Sequence, residues 1–102
     1  MYARVWHVHI QPGRIEEFKD AIDSLLPAAR KEAGFRAVLV LGSDGGKSPE
    51  ATVIGVWNTL EELKASEKSL FLYQALSRVL NLCEGFPNIS EEEVLLIGVG
   101  GK

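Results

Sequence analysis

A chain of 102 residues and 11.2 kDa has room for one domain and none for separate catalytic and cofactor domains. Eleven Lys and Arg against fourteen Asp and Glu give a formal charge of −3 and a pI near 5.3, which excludes the basic footprint of a nucleic-acid or anionic-membrane binder. With 46% apolar and 25% charged residues, the chain carries the core material of a folded globular domain.

No window approaches the ~20 apolar residues of a spanning helix. Met1-Tyr2-Ala3-Arg4 runs straight into strand-like sequence, without the long apolar stretch and cleavage site of a signal peptide. Cys83 is the single cysteine, so an internal disulfide and a multi-cysteine metal site are both impossible. Beside Leu80, Leu82 and Phe86 it reads as a small buried hydrophobe, and Phe18, Phe71 and Phe86 read as packing. These features lead to the expectation of one domain over 1–102 in a cytoplasmic protein.

Residues 2–10 are rich in β-branched and aromatic side chains and end at the turn signal Gln11-Pro12-Gly13, so they read as a strand. Its faces are Tyr2, Arg4, Trp6, Val8, Ile10 and Ala3, Val5, His7, His9. Over 14–33 the period changes: Ile15, Phe18, Ile22, Leu25, Leu26, Ala29 and Ala33 recur at three- and four-residue steps, the stripe of an amphipathic helix. Pro27 should kink or break it, and Gly34 should end it. Residues 35–42 and 51–58 read as strands two and three, paired antiparallel across a loop at Asp44-Gly45-Gly46-Lys47-Ser48-Pro49. That loop lacks the full spacing of a phosphate-cradling motif.

Thr59 with Glu62 matches a capping box and starts a helix carrying Leu60, Leu63 and Ser66. From Ser69 the stripe Leu70, Tyr73, Leu76, Val79, Leu80 continues; whether 60–82 is one helix or two joined near 66–70 stays open. Residues 92–99 form the expected last strand, after the acidic run Glu91-Glu92-Glu93. The order β-α-β-β-α-β predicts an α+β, ferredoxin-like fold: an antiparallel four-stranded sheet with helices on one face.

The uncovered face should then be polar, yet the strands are apolar on both parities. Phe35, Leu39 and Leu41 stand against Val38 and Val40, and Ile54 and Val56 against Val53 and Trp57. Covering that face with a second copy, over ~1,500 Å² or more, resolves the conflict and predicts a homodimer.

The segments resemble the antibiotic-biosynthesis-monooxygenase-like family of the dimeric α+β-barrel superfamily. The resemblance rests on Gln11-Pro12-Gly13-Arg14 with Glu16-Glu17-Phe18, on Glu32-Ala33-Gly34-Phe35, and on Val56-Trp57-Asn58-Thr59-Leu60-Glu61-Glu62-Leu63. It implies two protomers forming a barrel, each with a pocket between its sheet and helices. It also implies cofactor-independent oxygenation of quinols or aromatic polyketides, or, in other members, haem degradation. The haem-degrading members share the tryptophan at Trp57. They add a second tryptophan and a histidine ligand at positions that fall here near Ser66 and near Ala75 or Leu76, and a strand-one asparagine near His7. The haem ligand is therefore missing, and the second-helix histidine of many members is Ser66 here.

Candidate chemistry follows. His7 and His9 lie two apart on one strand, point the same way ~7 Å apart, and are the only good base candidates at neutral pH. The chain has no third histidine to complete a metal site, and both could equally be structural. Trp57 and Trp6 can wall a pocket for a flat aromatic molecule, with Asn58 and Tyr73 beside them, although each of the four also has a packing or capping role open to it. The expected function is a monooxygenase-like protein acting on or binding a small aromatic molecule, quinol or polyketide-like, without a bound cofactor. The alternative is a non-catalytic dimer that binds a small ligand or serves as a stress-associated regulatory module.

Overall fold

The computed structural model describes residues 1–43 and 49–101. Its elements are β1 (Tyr2–His9), α1 (Ile15–Asp23), α2 (Leu26–Ala29), β2 (Phe35–Ser43), β3 (Glu50–Trp57), α3 (Leu60–Ser66), α4 (Leu70–Leu82) and β4 (Asn88–Glu93). The strands form one antiparallel sheet in the order β2-β3-β1-β4. This is the ferredoxin-like arrangement, with β1 and β3 in the middle and helices on one face. The turn residues 44–48 lie outside the described residues, but the β2–β3 pairing they join is present.

The register sorts the side chains. Tyr2, Arg4, Trp6 and Val8 of β1 share the helical face with Trp57, Gly55, Val53 and Ala51 of β3. Under the helices, Phe18, Ile10, Leu63 and Val79 are among the most completely buried side chains. Phe18, Ile10 and Val79 pack with Trp6, Val8, Ile22 and Leu25 into the core. Cys83 is buried there too.

The helix expected over 14–33 breaks before Pro27, which sits at the start of α2, where a missing N–H costs nothing. Gly34 follows with φ +81°, a conformation that suits glycine. The 60–82 segment is two helices, with 67–69 between them. Thr59 caps α3: its Oγ1 accepts from the Glu62 N–H at 3.1 Å. Its hydroxyl donates to the Glu62 carboxylate at 3.0 Å, so that carboxylate engages the cap hydroxyl.

Three expectations need correction. The last strand is Asn88–Glu93, not 92–99. Its final partner on β1 is Tyr2, opposite Glu93, and the Val94 N–H donates to Met1 O; Leu95, Leu96 and Ile97 pair with no described strand. The acidic run Glu91–Glu93 lies within this edge strand, where charge discourages unwanted pairing. On α4 the expected stripe holds only toward its end: Val79 is buried and Leu80 half-buried, whereas Leu70 and Tyr73 are 71% and 75% exposed. The side chains of Phe71 and Leu76 lie outside the described residues. Phe86, expected to pack, is also exposed.

Candidate functional site

A cavity of about 80 Å³ opens between the helical face of the sheet and the α1–α2 elbow. Trp6, Val53, Gly55 and Val38 form its floor, Ile22, Leu25, Leu26 and Ala29 its helical wall, and Trp57, Phe35 and Arg4 complete it. The elbow exists because the helix breaks at Ser24–Leu25, so two short helices, not one straight rod, lie over the strands. Gly55 leaves space beside Trp57: a Cβ there would stand 3.7 Å from the indole Nε1. Phe35 meets Trp57 edge to face, with centroids 5.3 Å apart and planes at 71°.

Of the residues singled out in the sequence, Trp6 and Trp57 are brought together at this cavity, both buried. His7 and His9 are not. They occupy the opposite, open face of the sheet, and both are exposed. His7 Nδ1 lies 3.2 Å from Thr52 Oγ1, and His9 Nδ1 lies 3.3 Å from Glu50 Oε1. The sheet itself separates them from the tryptophans, so the candidate bases and the candidate aromatic wall do not meet within one protomer. Asn58 is exposed at the β3–α3 junction. Its N–H donates to Gly34 O at 2.8 Å and its Oδ1 accepts from Arg36 Nη1 at 3.3 Å, so it ties the junction and lines no part of the cavity. Tyr73 points to solvent from α4.

Two residues of the cavity escaped attention in the sequence. Phe35 shares odd parity with Leu39 and Leu41, but a bulge between Phe35 and Ala37 turns it onto the helical face while those leucines stay on the open one. Arg4 is buried, with 7% exposure. Its Nη2 donates to Glu67 Oε1 at 2.6 Å and to Leu63 O at 3.4 Å, and its Nη1 donates to Ser66 Oγ at 3.3 Å. Its signal was there: a charged residue in the parity set of Trp6 and Val8. Among the described residues no group of three or more His, Cys, Asp or Glu could hold a metal ion. No described helix is long and apolar enough to cross a membrane.

No protein-family model matches the sequence, and no curated protein matches it. Solved structures do match the fold. A candidate antibiotic biosynthesis monooxygenase from Bordetella bronchiseptica superposes with a TM-score of 0.75 at 18% identity, covering 93% of this chain and 97% of its own. A protein of the same description from Nitrosomonas europaea gives 0.76 at 14%, covering 94% and 100%. A conserved Bacteroides thetaiotaomicron protein of unknown function, described as a possible oxidoreductase, gives 0.74 at 20%, covering 91% and 96%. At these identities the likeness carries architecture alone, and by that architecture the chain has the fold of the antibiotic-biosynthesis-monooxygenase-like proteins.

Proposed function

We propose that this is a monooxygenase-like protein that binds a small aromatic molecule, of quinol type, between Trp6 and Trp57 under the α1–α2 elbow. The observation that carries the reading is the cavity itself, walled by two tryptophans and Phe35 on the face where the fold places its helices. Its size narrows the ligand. Pockets for drug-sized molecules run to ~300–1,000 Å³, and an apolar cavity of ~150 Å³ accepts one benzene ring. About 80 Å³ therefore suits a single ring that presses the walls apart slightly. A polycyclic polyketide would require the elbow to move.

The chemistry in this reading belongs to the substrate, an electron-rich aromatic anion that reacts with O2 without a resident cofactor. The chain supplies an apolar site that orients the ring and excludes water. No His, Asp or Glu lines the cavity among the described residues. That observation favours a second reading, a non-catalytic binder of the same small aromatic molecule. In both readings a second copy covers the open sheet face, where Leu39 and Leu41 are 53% and 50% exposed.

Titrating methylhydroquinone into the protein while following tryptophan fluorescence and dissolved oxygen separates these readings. Quenching with oxygen uptake above the protein-free rate is the expected result. Quenching without uptake identifies the non-catalytic binder, and no quenching sinks both. In Gly55→Val the added side chain fills the cavity, and the affinity should fall at least tenfold without a loss of thermal stability.

A further inference from the structure

We propose that Arg4 makes this cavity selective for an aromatic ligand bearing an acidic oxygen, bound as the phenolate or enolate; the inference rests on the binding reading above. Among the described residues Arg4 is the one charged side chain in the wall, and it is more than nine-tenths buried. Burying a cation costs several kcal/mol unless partners compensate. A hydrophobic residue would fill this position on β1 with less penalty, as Trp6 and Val8 do further along the same face.

The guanidinium has five N–H donors. Three hydrogen bonds run toward α3 and the residue after it: Nη1 to Ser66, and Nη2 to Leu63 O and Glu67. No acceptor among the described residues takes the Nε–H or the second Nη1–H. Arg4 and Trp6 stand two residues apart on one strand face, ~7 Å along it. A ring resting against Trp6 therefore brings a substituent oxygen within hydrogen-bonding reach of the arginine. In apolar surroundings that contact favours the ionised oxygen, because the guanidinium charge is poorly screened there.

The charges around Arg4 set how strong the preference is. Glu67 pairs with it at 2.6 Å, and its side chain is 45% exposed. Glu91 faces Arg4 across the β1–β4 pair and is tied to Lys64 Nζ at 3.4 Å. Two cations and two carboxylates cancel. Glu67, half in water, can turn outward when a ligand oxyanion replaces it, whereas Arg4 on its strand cannot leave.

The test uses 4-nitrophenol, a single-ring probe whose visible absorption separates phenol from phenolate, with tryptophan quenching reporting occupancy. The wild-type protein should bind the phenolate at least tenfold more tightly than the phenol, so that the bound probe titrates at a pH lower by about one unit. Arg4→Met should reverse the preference. Glu67→Gln, whose amide oxygen can still accept from Arg4 Nη2 and whose folding is checked by thermal melting, should strengthen phenolate binding threefold or more by leaving the guanidinium without its carboxylate. An arginine that only supports the fold would leave the probe's titration unmoved in Glu67→Gln. A probe bound in its neutral form, with Glu67→Gln unchanged, overturns the role of Arg4 and leaves the binding reading standing. A probe that causes no quenching overturns both.

Discussion

The bulge at Arg36 decides what the cavity contains. If Arg36 were paired as in a regular strand, Phe35 would follow Leu39 and Leu41 to the open face, and Trp57 would lose its edge-to-face neighbour. Alternation by itself cannot show a bulge, so the strand pattern put Phe35 on the wrong side. Alternation did place Arg4 correctly with Trp6, but only the packed helix α3 shows which groups receive its hydrogen bonds. Cys83 behaved as its neighbours implied: it is buried, and desolvation raises its thiol above the ordinary value of 9.0. A raised pKa in the folded state means that the unfolded thiol ionises first. Its contribution to stability is complete below pH 9.0 and is lost as pH climbs through the folded value. Urea unfolding from pH 7 to 11 should therefore show the wild type losing stability relative to Cys83→Ala only at the alkaline end. A constant difference between the two would exclude this coupling.

At the scale of elements, the breaks mattered more than the helices. Pro27 and Gly34 were legible because each carries a backbone constraint that no tertiary contact can remove. Gly34 bears a second constraint that only the folded chain reveals. A Cβ there would lie 2.3 Å from the Glu62 carboxyl group, and Gly34 O accepts the Asn58 N–H. Gly34→Ala should cost ~1–3 kcal/mol from backbone strain alone. Thermal melting should register it as a fall of several degrees, whereas an unchanged midpoint would mean that the junction relaxes freely. The start of α3 was equally plain, since Thr59 and Glu62 satisfy each other locally. The last strand is displaced for the opposite reason: Val94–Val99 has the composition of a strand, but strands need a neighbour, and the β1–β4 pairing stops at Tyr2 and Glu93. That leaves Leu95, Leu96 and Val99 among the most exposed apolar side chains.

For the whole molecule, the two faces of the sheet have different fates. Helices bury one. The other keeps Leu39 and Leu41 half in water beside Ile54 and Val5, and carries His7 and His9 at its polar end. A second copy across this face would bury the leucines at the ordinary scale of a stable interface, ~1,200–2,000 Å². Light scattering should then give a mass twice the 11.2 kDa of one chain, and Leu39→Asp should shift the population toward monomer. A wild type that is monomeric at 100 μM would rule out this assembly. The amphipathic periods, the turn residues and the cap determined the order of elements and the sheet topology, because those signals act within a few residues of one another. The location of the cavity, the separation of the histidines from the tryptophans, and the company of Arg4 were settled only in three dimensions. Each depends on strand register, on a one-residue bulge, and on which helix lies over which strand, and all of these are fixed by contacts between residues far apart in the chain.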